Sequence, residues 1–82
     1  MTDRPDYISE NADGSLTVAM HGGSFVTMRE PLVEDQLATK GTAEQREIAM
    51  LGNLCSLAPE EIAKLTSRNY RRLQNALTSF LD

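Results

Sequence analysis

Hydrophobic and polar positions alternate along the first part of the chain and recur every three to four residues along the rest, and the period changes at Pro31. In Ser15-Leu16-Thr17-Val18-Ala19-Met20 the residues Leu16, Val18 and Met20 fall on one face and Ser15, Thr17 and Ala19 on the other, as in a half-buried strand. Asn11-Ala12-Asp13-Gly14 precedes it as a turn, Asp-Gly being a favoured hairpin dipeptide. His21-Gly22-Gly23 follows as a second turn, since paired glycines tolerate positive φ. Ser24-Phe25-Val26-Thr27-Met28-Arg29 is rich in aromatic and β-branched residues and predicts another strand. Tyr7-Ile8-Ser9 offers a short strand ahead of the first turn, for a two- or three-stranded antiparallel meander. An isolated hairpin is marginal in water, so this sheet must pack on the helices.

Pro31 ends the β part and is expected at the first position of a short helix, where its missing amide costs nothing. Glu30 then stands at the cap, and Leu32, Val33 and Leu37 form one apolar side. Glu34 and Asp35 lie in the first turns, where carboxylates suit the positive end of the helix dipole. Lys40-Gly41 closes this helix. Thr42-Ala43-Glu44-Gln45 has capping-box spacing and opens a helix expected to end near Ser56. Its inner stripe is Ile48, Leu51 and Cys55, flanked by Met50 and Leu54. Gly52 inside a helix costs about 1 kcal/mol against alanine, and a close helix–helix crossing is the expected compensation. The segment Ala58-Pro59-Glu60-Glu61-Ile62-Ala63-Lys64-Leu65 predicts a short helix, with the proline and both glutamates in its first turn. Thr66 or Ser67 caps a final helix whose stripe is Tyr70, Leu73, Leu77 and Phe80, with Ala76 and Leu81 beside it. The fold class is therefore α+β: a small N-terminal antiparallel β-hairpin or meander followed by three to four short helices. One domain over residues 1–82 is expected, with a β part at 15–30, a helical part at 31–82, and 1–11 as the segment expected to be flexible.

Length and charge narrow what such a fold can do. At 82 residues the chain buries only about 60–65% of its unfolded surface, so its core is thin. Barrels and doubly wound sheets are excluded by length. A net charge of −4 argues against a general nucleic-acid binder, which normally carries a strong positive excess. No apolar run approaches the ~20 residues that span a bilayer, so no membrane partner is expected. Cys55 is the single cysteine, which excludes an internal disulfide and a cysteine-based zinc cluster. The polar, acidic N-terminus is unlike an export signal. Together these features point to a reducing, intracellular setting.

Candidate chemistry is sparse. His21 lies in a glycine turn, where exposure is the default and no orienting partner is near in sequence. His21-Gly22-Gly23-Ser24 lacks the length, lysine and following helix of a phosphate loop. Cys55 sits on an apolar helix face, where cysteine behaves as a small hydrophobe. Glu34-Asp35 and Glu60-Glu61 are sequence neighbours, which diverge on a helix and make no converging carboxylate site. Ser67, near a helix start, lacks the flanking signature of a carrier protein. Lys64, Arg68, Arg71 and Arg72 gather half of the eight cations, either as a solvated face or as a stripe for an acidic partner. The apolar stripe of the last helix is either core or a face shared with another chain. Nothing here carries catalysis, and no cofactor or metal is implied. The residues describe a small binding domain.

Two segments together resemble a known family. One is Val26-Thr27-Met28-Arg29-Glu30-Pro31-Leu32-Val33-Glu34-Asp35. The other runs from Met50 through Gly52, Leu57-Ala58-Pro59-Glu60-Glu61 and Asn69-Tyr70 to Phe80-Leu81. They are similar to the small tail assembly chaperones of Mu-like and related contractile-tailed phages and prophages. Arg29-Glu30-Pro31 is the most specific piece, and Asn69 departs from the aspartate the family often has there. The resemblance covers about residues 15–82. It implies a non-enzymatic assembly factor of the bacterial host cytoplasm, absent from the finished tail. It also implies binding to the tape-measure protein, with the tail tube protein as a further partner, while self-association is the expectation carried by the apolar stripe of the last helix. The contact residues expected for that role are Arg68, Tyr70, Arg71, Arg72, Leu73, Leu77 and Phe80. The alternative is a small helix-turn-helix-like DNA-associated phage regulator, its last-helix arginines on phosphate.

Overall fold

The alternating positions do form a sheet. The computed structural model describes residues 5–37 and 40–80. Strands β1 (Ile8–Glu10), β2 (Leu16–Ala19) and β3 (Phe25–Met28) pair antiparallel in the order β1-β2-β3. The register sets Ile8 and Val26 opposite Val18, and Met28 opposite Leu16. These five side chains therefore share the inner face, and Phe25, paired with Ala19, lies on the outer face at 71% exposure. Both expected turns are present. Gly14 adopts φ +90° in the first, Gly22 and Gly23 φ +112° and +100° in the second. Ser15 donates its amide and hydroxyl to Asp13, and those bonds hold the Asp13 carboxyl below its usual range.

The short helix after Pro31 differs from expectation. It is α1 (Val33–Leu37), beginning two residues beyond the proline. Its cap is Leu32 rather than Glu30, because the Leu32 amide donates to Asp35 Oδ2 at 2.7 Å. Its apolar side faces solvent: Leu32, Val33 and Leu37 are 53%, 72% and 78% exposed. Asp35 is the residue turned inward, at 6% exposure. The cause is Arg29, whose guanidinium grips the Asp35 carboxylate through two bonds of 2.9 and 2.8 Å. A two-point charged pair outweighs the small gain from half-burying aliphatic side chains on a five-residue helix. Gly41, at φ +106°, directly precedes the next cap.

Helix α2 (Ala43–Cys55) opens with the expected capping box between Thr42 and Gln45. Its C-cap is Ser56 in the left-handed region, φ 57°. Gly52 is explained by a nearer neighbour than a crossing helix. A Cβ at Gly52 would lie 2.6 Å from the Leu57 carbonyl oxygen, because the chain folds straight back over its own helix end. Gly52 O accepts from both the Ser56 and Leu57 amides, which closes the helix. Helices α3 (Pro59–Ala63) and α4 (Ser67–Phe80) follow. The Thr66 hydroxyl accepts from the Asn69 amide at 3.2 Å and so caps α4.

The core lies between the inner face of the sheet and the helices. Leu16, Val18 and Met28 meet Leu51, Leu54, Ile62, Leu73 and Ala76 there. Of residues 1–11, Ile8–Glu10 form β1, while residues 1–4 lie outside the described residues, as does Leu81. Among the described residues no helix is long and apolar enough to cross a membrane.

Candidate functional site

Helix α3 is short and returns at once into α4, so α2, α3 and α4 do not close over one another. They leave a groove of about 430 Å³. Ile48, Ile62, Leu65 and Tyr70 supply its apolar walls, and Glu44 and Arg71 stand on its rim. Arg71 and Ser67 also border a second depression of about 390 Å³ that holds Tyr7, Arg68 and Arg72. The start of α4 is thus a ridge carrying exposed cations between two hollows.

Each residue expected to bind a partner has a definite place. Arg68 and Arg71 are exposed on the ridge. Arg72 is turned back on the sheet: it donates to the Ala19 carbonyl at 2.7 Å and lies over the Tyr7 ring, 4.6 Å from its centroid. Tyr70 is half-buried and donates its hydroxyl to Glu47, which also accepts from Gln74 at 2.8 Å. Burial, then that bond to a carboxylate, pushes the Tyr70 phenol up to about 12. Leu73 has no exposed surface and Leu77 is 8% exposed. Their stripe is the core side of α4. Phe80 is half-buried against the same core. Leu77 also touches a shallow hollow with Met50 and Arg46.

Cys55 is buried, and burial pushes its thiol up to about 11, which suppresses the nucleophilic thiolate at neutral pH. His21 matters through its backbone. Its amide donates to Asn69 Oδ1 at 2.8 Å, and its carbonyl accepts from Asn69 Nδ2 at 3.2 Å. Asn75 likewise donates to the Tyr7 hydroxyl. No sequence pattern marks these long-range polar clasps, because donor and acceptor lie 48 and 68 positions apart. Among the described residues no group of three or more histidine, cysteine, aspartate or glutamate side chains is placed to hold a metal.

Residues 23–82 match the family described as phage tail assembly chaperone proteins, E, or 41 or 14. No curated protein and no solved structure matches the chain.

Proposed function

This chain belongs to the phage tail assembly chaperone family, and on that premise we propose that it binds the tape-measure protein before the tail tube forms around it. The role is non-enzymatic and is performed in the host cytoplasm. Tube subunits then displace the chaperone, which does not remain in the finished tail. One observation carries the assignment of the surface. The α2–α3–α4 groove is apolar within and carries Arg71 on its α4 rim, with Arg68 exposed one turn away on the same ridge and Glu44 on the opposite, α2 side, in a chain whose net charge is −4. A helical segment with an apolar stripe and an acidic flank fits that combination, as in helix-in-groove recognition. Arg68, Tyr70 and Arg71 are the contact residues in reach. Arg72, Leu73, Leu77 and Phe80 support them from behind. A shallow groove favours several weak contacts along a long partner, and such contacts release readily.

The test is co-expression with the tape-measure protein of the same phage, followed by size-exclusion chromatography. Co-elution of the two, with the tape measure insoluble alone, is the expected result. Replacing Arg68 and Arg71 together by glutamate should weaken binding at least about tenfold, a loss of about 1.4 kcal/mol, with the thermal melt unchanged. A tape measure that stays soluble without the chaperone and ignores it overturns the proposal.

A further inference from the structure

Strand β3 is at one end of the sheet, and among the described residues no strand pairs with its outer side along Phe25 and Thr27. The register shows why these two residues matter. Met20 N–H donates to Ser24 O, so that pair is hydrogen-bonded, as then are Val18 with Val26 and Leu16 with Met28. Ala19 instead directs its amide to Tyr7 on the β1 side. The backbone groups of Phe25 and Thr27 therefore point away from β2. Among the described residues neither amide meets an acceptor on that side. The next amide of the same parity, Arg29, is already taken by the Leu54 carbonyl at 3.0 Å. The open stretch is thus bounded, and a groove of about 400 Å³ runs beside it to the end of α2.

We propose that this edge pairs with the same edge of a second copy, antiparallel and centred on Val26. In that register Phe25 faces Thr27 of the second copy and Thr27 faces its Phe25. Donors and acceptors then match on both sides, for four backbone bonds. Pairing two copies of this edge satisfies the outward groups of both chains at once. Two further features favour a second copy. Residues 22–28 contain no charged side chain, so two chains of net charge −4 meet there without opposing charges. Edge strands of monomers are normally guarded by lysine or proline, and this one has neither. The alignment also brings Gly23 of the second copy beside Arg29, where the end of α2 crowds the edge, and a Cβ on Gly23 would meet nothing within 4 Å in its own chain. Phe25, 71% exposed, lies diagonally across from its counterpart on the outer face. The contact is small, so the dimer is a transient one.

Sedimentation equilibrium of the whole chain up to ~1 mM, a range that reads weak self-association, is the first measurement. Amide hydrogen exchange at low and high concentration is the second. We expect a concentration-dependent dimer, with the Phe25 and Thr27 amides protected only in it. Phe25→Lys, at an exposed position, should raise the dimer dissociation constant at least about tenfold, a change of 1.4 kcal/mol. Thr27→Pro, which removes an outward amide, should act alike. A chain monomeric throughout overturns the proposal. So does a dimer in which these two amides exchange freely, or a Phe25→Lys variant that dimerises as strongly. Protection appearing only on addition of the tape-measure protein overturns the second-copy occupant and gives the edge to that partner.

Discussion

Asp35 is the carboxylate that the fold turns inward, and its environment fixes how the molecule responds to acid. The Arg29 guanidinium, then the Leu32 amide, hold its carboxyl down to about 2 from an ordinary 3.8. A depressed folded value adds stability that is fully present above the unfolded value and fades as the pH falls through the folded one. Stability should therefore decline between about pH 4 and 2. Because Arg29 is partly exposed, solvent screening keeps this contribution small. Asp35→Asn should flatten that limb of a urea-denaturation series, and Glu34→Gln should not. Asn69 makes a second residue-scale point. An aspartate there would still accept from His21 N–H but has no donor for His21 O. Asn69→Asp should cost about 1 kcal/mol at neutral pH, read as a lower melting midpoint.

Among the elements, local chemistry decides more than helix propensity does. A glycine inside a helix is usually improved by alanine, by about 1 kcal/mol. Gly52 reverses that rule, because the new Cβ would strike the Leu57 backbone. Gly52→Ala should destabilise by about 2 kcal/mol, while Ser56→Gly, at φ 57°, should stabilise by about 1 kcal/mol. Opposite signs four residues apart in one denaturation series would establish the returning chain as the cause. The strands, the Thr42–Gln45 box and the stripe of α4 were legible in the sequence, because alternation, cap spacing and helical period are local signals. The facing of α1 was not. Leu32, Val33 and Leu37 read as an inner side until Arg29, in the preceding segment, is seen to claim Asp35. Gly52 was legible as an anomaly, but its cause lies in where the chain goes after Ser56.

At the scale of the whole molecule, the basic cluster near the end of the chain was legible but its division was not. Arg68 and Arg71 are exposed on the ridge of α4, while Arg72 holds the sheet. Arg72→Ala should thus lower the melting midpoint, and the Arg68/Arg71 double variant should leave it in place. A binding assay run beside thermal melts separates the two kinds of arginine. The groove itself was invisible to periodicity, since it depends on how α3 fails to cover α2 and α4. The polar clasps between the sheet and α4 have one further consequence. Tyr7 with Asn75, Ala19 with Arg72 and His21 with Asn69 span 68, 53 and 48 positions. Such contacts form only after most of the chain has been synthesised, and closing long loops is slow. On the ribosome, the nascent sheet waits with its inner face uncovered until α4 emerges. The sheet and its covering helix are therefore completed together, once residues 67–80 have been made.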